Sequence, residues 1–86
     1  MISGAQLRAA RALLGISAAE LAEASGVGHR TIQRFESSDA IPDARTTVLR
    51  QLKAALEARG IVFLGDPEAS PGVQIIDADS KAGVAG

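Results

Sequence analysis

Three consecutive segments of the chain carry the same helix-start grammar, and the second and third are joined only by a short turn containing glycine. Ser3 is followed at the third position by Gln6, and Ser17 by Glu20. At that spacing a cap hydroxyl and a polar side chain each satisfy the other's backbone amide. Ile2 with Leu7, Ile16 with Leu21 and Val27 with Ile32 bracket the three starts as apolar staples, and Gly28 takes the cap position of the third. Gly15 and Gly26 stand where left-handed residues end helices. The signals predict helices over about residues 4 to 14, about 18 to 25, and from near Gly28 to near Glu36. With only Gly26, Val27 and Gly28 between them, the last two helices must cross steeply, the connection of a helix-turn-helix.

Downstream, Ser37, Ser38 and Asp39 form a polar break, and Pro42 with Asp43 is expected to open a longer helix running to about Arg59. Val48, Leu49, Leu52, Ala55 and Leu56 recur at helical spacing, leaving Arg45, Arg50, Lys53 and Glu57 mostly outside. Gly60 stops the pattern. Two runs rich in β-branched residues follow, Ile61 to Leu64 and Val73 to Ile76, flanking a Gly/Pro loop, and predict a β-hairpin or paired strands. From about Ala78 the residues are small, polar and acidic, the composition of a loose tail. The expected organisation is a mainly α domain of four to five helices over residues 1–60, a short β extension over 61–77 and a tail over 78–86.

Eighty-six residues close one modest core and no more. Phe35 and Phe63 are the only aromatic residues, so that core must be built from Leu, Ile, Val and Ala. Without cysteine there is neither a disulfide nor a thiolate metal ligand, and packing alone must hold the fold. No apolar run approaches the roughly 20 residues of a membrane span, and Met1 to Gly4 lacks the basic, then apolar, opening of a signal peptide. The expectation is a soluble, cytoplasmic protein. His29 is the only histidine, and no phosphate-cradling glycine loop or paired carboxylates occur, so no catalytic residue, metal, cofactor or small-molecule ligand is expected.

Over residues 7 to 60 the sequence resembles the Xre family, the Cro and lambda-type repressor DNA-binding domains. Glu20-Leu21-Ala22, Gly26-Val27, Thr31-Ile32 and Phe35-Glu36 all sit at the spacing that family uses. The C-terminal Pro-Gly-Val stretch resembles its short bacterial members. The resemblance implies a lambda-repressor-like fold with a recognition helix in the major groove. It also implies a buried ion pair between Arg11 and Glu36, fixing that helix against the first. Carried over by position, His29, Arg30 and Arg34 face base edges, Thr31 and Gln33 reach bases or backbone, and Ser17 with Gly28 lies at helix starts near phosphates. Arg45 is expected at the DNA backbone or minor groove. Arginine grips guanine with two hydrogen bonds, so a half-site containing G follows. Ala18 departs from the family, which often carries Gln there to contact phosphate.

The formal net charge of −1 is unusual for a DNA binder, whose affinity rests on neutralising phosphates. Its distribution is uneven. Residues 1–60 hold eight Arg or Lys against six Asp or Glu, a balance of +2, while residues 61–86 hold one Lys against four acids, a balance of −3. The expected function is a transcriptional regulator, foremost a repressor, that binds a palindromic or repeated double-stranded operator as a homodimer. The rival is a helix-turn-helix module that docks on another regulator without specific DNA binding. Ile61, Phe63, Val73 and Ile75 are more apolar than a lone ribbon can hide. They are expected at a dimer surface or against the fourth helix of their own chain.

Overall fold

The computed structural model describes residues 1–76, so the expected tail lies outside the described residues. Its elements are α1 (Gly4–Leu14), α2 (Ala18–Ser25), α3 (His29–Glu36), α4 (Thr46–Glu57), β1 (Ile61–Leu64) and β2 (Gly72–Ile75). Both capping boxes form. The Ser3 hydroxyl accepts from the Gln6 amide at 3.1 Å, and the Ser17 hydroxyl from the Glu20 amide at 3.0 Å. Gly15 and Gly26 end α1 and α2 with φ of 68° and 77°, the left-handed conformation that glycine adopts without a Cβ penalty.

The core gathers one apolar stripe from every helix: Ile2 and Leu7 at α1, Leu21 of α2, Ile32 and Phe35 of α3, Leu49, Leu52 and Leu56 of α4. Val27 is buried among them, so the turn between α2 and α3 is itself anchored. Among the described residues, no helix is long and apolar enough to cross a membrane.

α4 is shorter than expected at both ends. Pro42 and Asp43 do not open it; Arg45 is the cap, with an extended backbone at ψ 143°, and the helix starts at Thr46. Ile41 and Ala44 both pack on the core, and the chain spans between them in irregular form before turning into the helix. At the other end Glu57 is the last helical residue and Ala58 the cap, so Arg59 lies in a turn.

The two strands pair antiparallel, Ile61 opposite Ile75 and Phe63 opposite Val73. β2 lies against α1 and β1 against α4. Ile61 is only 2% exposed and belongs to the same core as the helices, while Phe63 and Val73 are half-buried against it. Ile61 is therefore unable to form a dimer surface: its side chain already fills the protomer's interior. Of the four hairpin residues expected at a dimer surface or against α4 of their own chain, Ile75 alone is exposed. Gln6 ties the hairpin to α1, donating its side-chain amide to the carbonyl of Gly72 at 3.0 Å and to that of Leu64 at 3.4 Å.

Gly4 marks a close approach of two backbone segments. A Cβ there would strike the carbonyl oxygens of Ser38 and Phe35, and the Gly4 amide donates to Ala40 at 2.9 Å. The start of α1 thus rests directly on the chain leaving α3.

Candidate nucleic-acid interface

At about 100° per residue, Ile32 and Phe35 place one side of α3 in the core and His29, Arg30, Gln33 and Arg34 together on the other. All four of the latter are exposed, and Thr31 at their border is half-buried. No acidic residue shares this face. The guanidinium of Arg34 rests over the Phe35 ring, 5.5 Å from its centroid, which leaves its outer edge turned to solvent. Among the described residues neither Arg30 nor Arg34 forms an ion pair, whereas Arg8 and Arg11 of α1 both do.

The carboxylate of Glu36 takes two hydrogen bonds from Arg11, Nε at 2.7 Å and Nη2 at 2.6 Å, and the remaining Nη1 donates to the Ile16 carbonyl at 3.0 Å. One guanidinium therefore joins the end of α3, α1 and the entry to α2. The Glu36 side chain is 8% exposed and that of Arg11 24%. Its hydrogen bonds to Glu36 raise the Arg11 pKa above the ordinary value, against a smaller opposing effect of burial. A forked pair held at three points fixes the helix angle more than it adds stability.

Arg8, which the sequence reading did not single out, completes this clamp. Its Nη1 donates to the backbone carbonyls of Glu36 at 2.6 Å and Ser38 at 3.2 Å, and its Nη2 pairs with the Asp39 carboxylate. Arg8 and Arg11 stand three apart on one face of α1, so that spacing was the available signal. Together they hold the side chain and the last carbonyls of α3.

The remaining expected contacts sit at helix starts, Ser17 at the cap of α2, Gly28 at that of α3 and Arg45 at that of α4. Gly28 caps α3 without a side-chain acceptor, leaving the amides of the first turn unclaimed by a cap. At α2, the Ser17 amide donates to the Glu20 carboxylate at 3.3 Å while its hydroxyl accepts from the Glu20 amide. An anion at that helix start would meet the amides of Ala18 and Ala19 rather than Ser17. Arg45 is exposed at the α4 cap, with no ion pair among the described residues. Nor do any three His, Cys, Asp or Glu side chains among the described residues come together as a metal site.

The helix-turn-helix family model matches residues 7–47, from Leu7 in α1 to Thr47 in the first turn of α4. The matched span contains the Arg11–Glu36 pair and the whole exposed face of α3. No curated protein matches the chain.

Proposed function

Because residues 7–47 belong to the helix-turn-helix family of Xre, Cro and lambda-repressor type, a family of DNA-binding regulators, we propose that this protein is a sequence-specific repressor. In this reading it enters the major groove with α3 and acts as a homodimer on a palindromic or repeated operator. The observation that carries the reading is the face of α3. His29, Arg30, Gln33 and Arg34 are exposed side by side with no acid among them, on a helix whose far end is clamped by Arg8 and Arg11. A short helix held at both ends presents base-reading side chains without first having to order them, which favours specificity.

Roles divide by chemistry. Arg30 and Arg34 reach the acceptor pair of guanine, Gln33 pairs with adenine or backbone, and His29 and Thr31 lie at the groove edge. Arg45 and the amides of Ala18 and Ala19 contact phosphates and set register. The family's members are generally regulators rather than enzymes, and the reading assigns no chemistry to any side chain here.

The test is selection of bound sequences from a random duplex pool, followed by titration of the selected operator over a range of salt. Arg30→Ala and Arg34→Ala should each lose roughly 1–3 kcal/mol of discrimination at one base position with the helical spectrum unchanged. Arg45→Ala should weaken all sequences alike and lower the salt slope by about 1. If both α3 variants bind the operator as tightly as the parent, α3 does not do the reading. Absence of any binding at low salt, where counterion release helps most, favours the rival module that docks on a protein.

A further inference from the structure

The cations of α1 are paired within the fold, whereas two on α4 are not. Arg8 and Arg11 each hold a carboxylate, while among the described residues neither Arg50 nor Lys53 forms an ion pair. Lys53 has Glu57 four residues on, a spacing at which a helix can pair opposite charges. Its ammonium lies instead over the Phe63 ring, 5.9 Å from the centroid, and the residue is half-buried. Arg50 stands three residues before it, so two like charges share one face of α4 at a spacing that repels. Thr46, four residues before Arg50, adds a hydroxyl to the same face.

These three side chains border a depression of about 290 Å³ whose other walls are Met1, Ile2 and Leu49. Ile2 and Leu49 belong to the core, so the depression reaches down to it, and Met1 stands exposed at its side. No acidic residue borders it. A concave, partly apolar space with a few convergent polar groups has the makeup of a small-molecule site, at the low end of the usual size range. A solvated helix face has no such floor. None of the walls comes from α3, and the proposed reading of DNA uses none of them.

We propose that this depression binds a small organic phosphate monoester. Arg50, Lys53 and Thr46 take the phosphate, and Met1, Ile2 and Leu49 lie against its carbon body. Charge selects the headgroup. A phosphate monoester carries about −1.5 to −2 at pH 7, which matches two cations, whereas a carboxylate leaves one of them unmatched. The donors agree with this: the Arg50 fork can serve two phosphate oxygens, and the Lys53 ammonium with the Thr46 hydroxyl the third. A bound dianion also offsets the repulsion between Arg50 and Lys53. Volume sets the size of the rest. At roughly 30 Å³ for each water-sized group, 290 Å³ holds on the order of ten non-hydrogen atoms, a phosphate with about five carbons. A nucleotide, roughly twice that, is too large. No local motif announces the site, because Ile2 and Leu49 meet only when the start of α1 packs on α4.

Butyl phosphate is the probe, titrated into the isotopically labelled full chain at fixed ionic strength, with butanol and butyrate as controls. Amide shifts from Thr46 to Lys53 should saturate with butyl phosphate, and butyrate should bind about tenfold more weakly or less, since it lacks one charge-assisted contact. Arg50→Gln and Lys53→Gln should each weaken butyl phosphate by about tenfold or more for the same reason. Arg50 is exposed, so its variant leaves the core untouched. Arg59→Gln removes an exposed cation that does not border the depression and should leave the affinity unchanged. The proposal is overturned if butyl phosphate produces no saturable shift at these amides, if butyrate binds as tightly, or if Arg59→Gln loses as much as Arg50→Gln. Loss of duplex affinity in Arg50→Gln without any binding of butyl phosphate also overturns it, and assigns these cations to the DNA backbone. Failure of the chain to bind DNA leaves the inference standing, since the site shares no residue with the reading face.

Discussion

Replacing Gly4 by alanine sets two effects of opposite sign against each other. By propensity alone the change stabilises, since glycine in a helix costs roughly 0.5–1 kcal/mol relative to alanine and Gly4 is the first residue of α1. The geometry opposes this. The added Cβ would lie far inside contact distance of the Ser38 and Phe35 carbonyl oxygens, with the Ser38 carbonyl carbon at 3.1 Å. Those atoms are backbone, so no side chain can swing aside. Either the start of α1 or the segment after α3 must move by on the order of 1 Å, an overpacking strain of about 1–3 kcal/mol. The same movement stretches the 2.9 Å bond from the Gly4 amide to Ala40, together with the bonds from Arg8 to Glu36 and Ser38. Losing one of these costs about 1 kcal/mol more. The net expectation for Gly4→Ala is destabilisation by about 1–3 kcal/mol, a fall in Tm on the order of 5–20 °C for a domain of this size. Thermal and urea unfolding followed by circular dichroism measure it. A variant as stable as the parent, or more so, would refute the close approach.

Other consequences are checked the same way. Glu36→Gln leaves the Arg11 guanidinium partly buried with one neutral acceptor; because Arg11 keeps some water, the loss should be about 1–3 kcal/mol rather than the larger penalty of a fully buried pair, read as a lower Tm. Gln6→Glu preserves the capping box but removes the amide that donates to Leu64 and Gly72 and aims a carboxylate at two carbonyls. It should lower stability by about 1–2 kcal/mol after the gain from charge at a helix start, with faster amide exchange concentrated in β1 and β2. The amides of Ala69 and Glu68 donate to the Asp66 carboxylate and hold its pKa below the ordinary 3.8. A group depressed in the folded state contributes stability above its unfolded pKa and loses it as pH falls through the folded one. The loop contribution should thus vanish only in acid and be absent from Asp66→Asn. A carbon-detected titration midpoint at or above 3.8 would contradict the bonds.

Which parts of this fold the sequence disclosed follows from the range of the interactions behind them. The three helix starts were legible because a cap, its partner and its staple lie within one turn of each other, and α1, α2 and α3 formed where expected. α4 was misjudged because Pro42 is a local signal and was overridden by distant packing of Ile41 and Ala44 on the core. Gln6 showed its capping role but not its second one, which depends on carbonyls 58 and 66 residues away. Gly4 resembled an ordinary first helical residue until the chain leaving α3 arrived against it. Ile61 was ambiguous for the same reason: a β-branched residue in a short strand has one sequence signature whether it faces a second copy or its own helices.

The charge of the candidate interface needs the structure to be interpreted at all. A balance of +2 over residues 1–60 treats every arginine alike, but Arg8 and Arg11 are engaged in holding α3, with Asp39 and Glu36 as partners. Six cations remain: Arg30 and Arg34 on the exposed face of α3, Arg45 at the cap of α4, Arg50 and Lys53 within it and Arg59 after it. In the proposed reading Arg30, Arg34 and Arg45 are the cations at the DNA, and two or three phosphate-neutralising groups release few counterions, so a single copy should bind non-specific DNA weakly and with a shallow salt slope. In the proposed homodimer, affinity for an operator comes from two recognition helices acting together, through the gain in effective concentration that a dimer provides. With so few cations on the proposed reading face, such a homodimer depends on the contact between its copies more than a strongly basic domain would.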